Sequence, residues 1–178
     1  MINRSSLAQT NILYLEQALE LLQKVRDELY SKTSPPLYTS GIGSHIRHDV
    51  DHYTNFLLGI KKGKVDYEAR QRDPRVESDR VFAIDRIQHI IEQLSVISIA
   101  QATTPIQIKI ENNDFEKNIS SWANSTISRE LDFLLSHTIH HYALIAMILR
   151  IENFEPGNTF GVAPSTLRYQ EINTSCVQ

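Results

Sequence analysis

Six of the seven histidines in this chain fall into two short clusters, His45/His48/His52 and His137/His140/His141, about ninety residues apart. Neutral imidazole is the usual nitrogen ligand of divalent transition metals. His137 and His141 stand four residues apart, the spacing that sets two side chains one above the other on a helix face. Two rigid segments that each present imidazoles are what a cation gripped from both sides requires. With three protein ligands, positions remain for water or substrate, whose lowered pKa yields a nucleophile near neutral pH. An imidazole-only set suits zinc, nickel, iron or copper better than magnesium or calcium.

The segments that must position these rings read as helices. Six glycines and six prolines are few, and they sit between periodic stretches. Ile12, Leu15, Leu19, Leu22 and Leu29 predict a first helix over about 6–30. Ser34-Pro35-Pro36 ends it, because proline cannot donate and restricts the residue before it. A second helix over 43–62 carries the stripe Ile46, Val50, Tyr53, Leu57 and Ile60, and stops at Gly63. Val65 to Arg75 is charged and reads as an ordered loop. The third helix, over 77–100, carries Val81, Ile84, Ile87, Ile91, Leu94 and Ile97.

The period then changes. Pro105 to Ile110 alternates apolar and polar residues, as a half-buried strand does. Asn112-Asn113-Asp114 predicts a turn, and residues 115–122 a returning strand. Ser125 or Thr126 would cap a fourth helix, with Glu130 in its first turn against the dipole. That helix runs to about Asn153, where Pro156-Gly157-Asn158 follows. The expected fold is all-α: a four-helix bundle with one long crossover, a short β-hairpin-like insertion before the last helix, and an irregular C-terminal tail. Residues 1–153 would form the bundle and 154–178 an extension packed on it.

On the fourth helix His137 and His141 project about 40° apart, in line with Glu130, Leu134, Leu144 and Ile148. Leu131, Phe133, Ile145 and Leu149 flank them, so the pair faces the apolar side, where an unpartnered imidazole is costly. Two core histidines satisfied by neighbours are the alternative to a ligand pair. His140, about 100° away, is expected at the rim. His45, His48 and His52 share an arc of about 60°, opposite the apolar stripe and beside Asn55 and Gly59. That arc is either a solvated polar face or the wall of a groove facing the fourth helix. Spacing does not choose between His48 and His52. His89 is isolated and expected at the surface.

The formal net charge of -3 and the scattered lysines and arginines leave no footprint for nucleic acid. No apolar run stands out as a membrane span, and the first six residues lack the apolar stretch of a secretory signal. One cysteine, Cys176, precludes an internal disulfide, so the cytoplasm is the expected compartment. Helical proteins of this size often pair along a helix face. A homodimer is therefore compatible with the sequence, although no stripe is clearly left over for it.

The run Gly43-Ser44-His45-Ile46-Arg47-His48-Asp49-Val50-Asp51-His52, taken with Ser136-His137-Thr138-Ile139-His140-His141-Tyr142, resembles the DinB/YfiT-like family of metal-dependent helical-bundle proteins. In that family a histidine of the second helix and an H-x-x-x-H pair of the last long helix bind a divalent metal. The resemblance implies His48, His137 and His141 as ligands of a divalent metal, for which the imidazole set makes zinc, nickel or iron the expected ion. It also implies a small-molecule substrate such as a low-molecular-weight thiol, since relatives are similar to thiol-dependent transferases. Many relatives follow the last histidine with Gly-Gln, where this chain has Tyr142-Ala143. The loop 66–75 and the tail 160–169 look like features of a particular branch.

Around such a site Asp49, Asp51 and Glu130 are carboxylates able to orient an imidazole. Asp51 has Arg47 or solvent as rival partners, and Glu130 is better placed for a capping role. Arg70, Arg72 and Arg75 would line the mouth of the cleft for an anionic substrate, or else form a solvated charged loop. The expected activity is hydrolase or thiol-transferase chemistry. The rival is a non-catalytic bundle that binds a partner or small ligand and whose histidines are structural, marked by His52 or a carboxylate completing a closed four-ligand shell.

Overall fold

The computed structural model describes residues 6–69, 71–110 and 121–175. It is mostly helical, with one small sheet. In chain order the helices are α1 (Leu7–Lys24), α2 (Asp27–Tyr30), α3 (Ile42–Ile60), α4 (Pro74–Ser78), α5 (Arg80–Ser95), α6 (Ile127–Ile151) and α7 (Pro164–Ser175). The strands are β1 (Lys64–Val65), β2 (Pro105–Ile110) and β3 (Ser121–Thr126). Helices α1 and α3 each pack against both α5 and α6. The core between them holds Leu15, Leu22, Tyr53, Phe56, Ile87, Leu94, Leu131 and Ile145, all nearly inaccessible.

Two expected helices break where a polar side chain captures the backbone. The first ends at Lys24, not near residue 30. Val25 is extended, the Arg80 guanidinium takes the Leu22 carbonyl and the Asp27 carboxylate, and α2 starts afresh. The third splits at Asp79, whose extended backbone separates α4 from α5 and whose carboxylate caps α5 at the Phe82 amide. Periodicity hides both breaks, since the apolar face continues across each. Gly43 is required where α3 meets α4, because a Cβ there would lie 2.0 Å from the Glu77 carbonyl oxygen.

The sheet has the order β1-β2-β3, with β1 parallel and β3 antiparallel to β2. The predicted insertion is therefore a hairpin, to which β1 adds a third strand. The returning strand is expected over 115–122; residues 115–120 lie outside the described residues, and β3 runs from Ser121 to Thr126. Ala123 to Thr126 lacks apolar alternation, so its pairing was not visible. The turn at Asn112-Asn113-Asp114 lies outside the described residues, as do Arg70 and Cys176. Thr126 caps α6 through the Arg129 amide, as expected.

The tail is not irregular throughout. Residues 154–163 hold no helix or strand, with a turn over 158–161, but α7 follows, with proline at its start. Its residues Arg168, Tyr169, Gln170 and Ile172 are exposed, so no apolar period announced it. Phe160 is buried and stacks on Tyr142 at 4.8 Å, and the Tyr14 hydroxyl donates to the Val162 carbonyl at 2.6 Å. Among the described residues α6 is the one helix long and apolar enough to cross a membrane; here Leu131, Tyr142, Ile145 and Leu149 bury in the core.

Candidate metal centre

Helix α3 leads into β1, and β3 runs directly into α6, so the sheet ties the end of α3 to the start of α6. The two helices consequently pack antiparallel, and positions rising along α3 meet positions falling along α6. His45 Nδ1 lies 2.9 Å from His141 Nδ1, His48 Nε2 lies 2.8 Å from His137 Nε2, and the His52 ring lies 6.2 Å from that of Phe133. The His48 ring centroid is 4.6 Å from that of His141, and His137 is also 4.6 Å from His141. The arc on α3 thus faces α6 and is not a solvated face.

His52 joins the cluster. It is buried, with its ring 4.5 Å from His48 and 4.6 Å from His137. Two overlapping groups have ligand atoms all within 4.8 Å of one another: His48, His52 and His137, and Asp49, His137 and His141. His137 belongs to both. His140 is exposed at the rim, 5.2 Å from His141, and His89 is exposed on α5 beside Glu92. Both lie as their spacing implies.

The electrostatics suit a cation. Burial, then the neighbouring rings of His137 and His48, push His141 down to about 3. Burial and His140 lower His45. Burial holds the Asp49 carboxyl well above the usual carboxylate range. Asp49 is only 3% exposed, and neither of its oxygens has a hydrogen-bond partner among the described residues. The buried Nε2 of His141 likewise has none, while its Nδ1 faces His45. Orphaned lone pairs converging beside neutral imidazoles fit a divalent ion, which would satisfy them together.

Aromatic rings wall the cluster. Tyr67 stacks on His52 at 5.3 Å, and Phe133 stacks on His137 at 5.5 Å. The Tyr67 hydroxyl donates to Glu130 at 2.9 Å, and burial together with Glu130 raises its pKa. Glu130 is therefore more than a first-turn charge. It is fully buried, and it also accepts from the Ser125 hydroxyl and from Arg129. Sequence reasoning missed Tyr67 and the placement of Asp49. The signal for Asp49 was available, since on α3 it projects among Ile42, Tyr53 and Phe56, on the apolar face.

Of the loop arginines, the described Arg72 and Arg75 share no lining with the histidines. Arg72 and Arg75, with Arg86, line a separate cleft of about 570 Å³ along the Val50, Thr54 and Leu58 flank of α3. Arg75 is bonded to Asp73 and sits over the Phe82 ring at 4.3 Å. Asp51 is buried and pairs with Arg47, which also holds Glu77.

No family model matches this chain, and no solved structure does. Over 108 residues it is 33% identical to a protein of Rhizopus delemar named FK506-binding protein 5. The match takes in 59% of this chain and 27% of that protein, so the chain spans about a quarter of that relative's length.

Proposed function

We propose that the chain is a metal-dependent enzyme of the DinB/YfiT-like type, built on a four-helix bundle of α1, α3, α5 and α6. His48, His137 and His141 are its ligands for zinc, nickel or iron. The observation that carries this reading is the antiparallel meeting of α3 and α6, which puts His48 Nε2 2.8 Å from His137 Nε2 and its ring 4.6 Å from that of His141. A bound divalent ion supplies Lewis acidity, lowering the pKa of water or of a thiol beside it.

The residues of the chain do the rest. The Nδ1 atoms of His45 and His141 lie 2.9 Å apart, and a proton on the His141 side of that contact fixes its tautomer and turns Nε2 into the site. Tyr67 and Phe133 hold His52 and His137 by stacking and give an apolar wall for a small substrate. Tyr67 is itself anchored by Glu130. The fit to a small thiol rests on the family resemblance. FK506 binding, named for the Rhizopus relative, forms no part of this reading, because the match takes in only 27% of that protein.

One observation favours a second reading, a closed site that holds metal for stability alone: His52 is buried within reach of His48 and His137. Metal analysis of tag-free protein and of its His48→Ala, His137→Ala and His141→Ala variants tests the first reading. Stoichiometric metal retained by all three variants removes the ligand assignment. Loss of metal in His52→Ala, with a large fall in Tm and no activity of the parent in thiol-transfer or hydrolase assays, selects the second.

A further inference from the structure

We infer that Asp49 is a fourth protein ligand, making the centre a three-histidine, one-carboxylate site; this rests on the metal-site reading above, and in a shell of five or six positions it still leaves room for water or substrate. Asp49 follows His48 on α3 yet turns about 100° away, into the interior between α3 and α6. It is 3% exposed, and both carboxylate oxygens lack hydrogen-bond partners among the described residues. One of its oxygens and ring nitrogens of His137 and His141 lie within 4.8 Å of one another. The His141 nitrogen left without a partner is Nε2, since Nδ1 faces His45.

Two neighbouring donors are already engaged. The hydroxyl of the adjacent Tyr53 donates to Asn11 at 2.6 Å. Arg47, the cation nearest in sequence, is committed to Asp51 and Glu77. A carboxylate stripped of water and given no donor is among the costliest groups to bury. An ion shared with His137 and His141 satisfies it, along with the Nε2 of His141. The consequence is chemical. One anionic oxygen among neutral nitrogens leaves a divalent site with net charge +1, and tilts its preference from copper towards iron or manganese.

Zinc titration of tag-free, metal-stripped protein tests this, comparing the parent with Asp49→Asn, Asp49→Leu and His137→Ala. Circular dichroism melts of the metal-free forms report folding. Asp49→Leu, which keeps the branched shape without oxygens, serves if the Asn variant does not fold. Asp49→Asn is expected to weaken zinc binding by at least about tenfold, the scale on which even outer partners of a metal act, with the metal-free melt unchanged or higher. Parent-like zinc affinity in folded Asp49→Asn and Asp49→Leu, with binding lost in His137→Ala, overturns this inference and leaves the metal-site reading standing. A parent that binds no zinc, nickel, iron or manganese overturns both.

Discussion

Removing a single oxygen from Tyr53 should weaken both the fold and the metal centre. The Tyr53 hydroxyl donates to Asn11 Oδ1 at 2.6 Å and accepts from the Thr138 hydroxyl at 3.2 Å. Asn11 in turn donates to the carbonyls of Leu7 and Leu131. Asn11, Tyr53 and Thr138 are almost completely buried, and the chain of bonds pins α1, α3 and α6 together. Tyr53→Phe strands the Asn11 oxygen, at about 1–3 kcal/mol. Thr138 can turn its hydroxyl to the carbonyl one helical turn back, so its loss is smaller.

The net expectation is a destabilisation of about 2–3 kcal/mol. For a chain of 178 residues that lowers Tm by about 4–12 °C. Tyr53 adjoins His52 and Thr138 adjoins His137, so the same loss loosens the register of the two histidine helices. Zinc affinity should fall by up to about tenfold without any ligand being touched. Thermal melts of metal-free protein and zinc titrations read the two effects. Crossing Tyr53→Phe with Asn11→Ala should show coupling of about 1–2 kcal/mol. A Tm change below 2 °C, or strict additivity of the two substitutions, refutes the network.

Acid should destabilise the metal-free protein through His141. Its folded pKa, about 3, lies below that of the unfolded chain, so this contribution is complete above about pH 6.5 and is lost as pH falls towards 3. The ring is half-buried, and solvent screening leaves about 1–2 kcal/mol; urea melts of His141→Asn and its parent should diverge by that much over this window, and parallel curves count against it. Gly43→Ala drives a Cβ to 2.0 Å from the Glu77 carbonyl oxygen and should cost about 1–3 kcal/mol, seen as a lowered urea midpoint. Phe160→Ala removes the ring stacked on Tyr142 and should lower stability by about 3 kcal/mol while zinc stoichiometry holds. Arg72→Ala should leave metal content unchanged, because that residue lines the separate cleft; altered zinc binding would show the two regions to be continuous.

What the sequence disclosed was whatever the apolar period encodes. The four long helices, the cap at Thr126 and the i, i+4 pair His137/His141 follow from spacing alone. The breaks at Val25 and Asp79 do not, because a distant guanidinium and a capping carboxylate set them while the apolar face runs on. Helix α7 was invisible for the opposite reason, having little apolar face to display. Around the histidines, the pairing of His45 with His141 needed the antiparallel packing, a property of the sheet that joins α3 to α6. Asp49 was legible as a carboxylate able to orient an imidazole, but its burial between α3 and α6 was not read from its position. A carboxylate on the buried stripe of α3 asks for a partner, and the question alone would have directed attention to its place beside His137 and His141.

The sheet also makes the two histidine helices into matched measuring rods. From the strands, α3 reaches back over twelve residues from Ile60 to His48, and α6 reaches forward over ten from Ile127 to His137. At about 1.5 Å per residue these are spans of about 18 and 15 Å, laid off from one common edge. One residue added between Ile127 and His137 would swing both α6 rings by about 100° and carry them about 1.5 Å along the axis. Length on this stretch is therefore as strictly constrained as the identity of the imidazoles, and a shift in one rod requires an equal shift in the other.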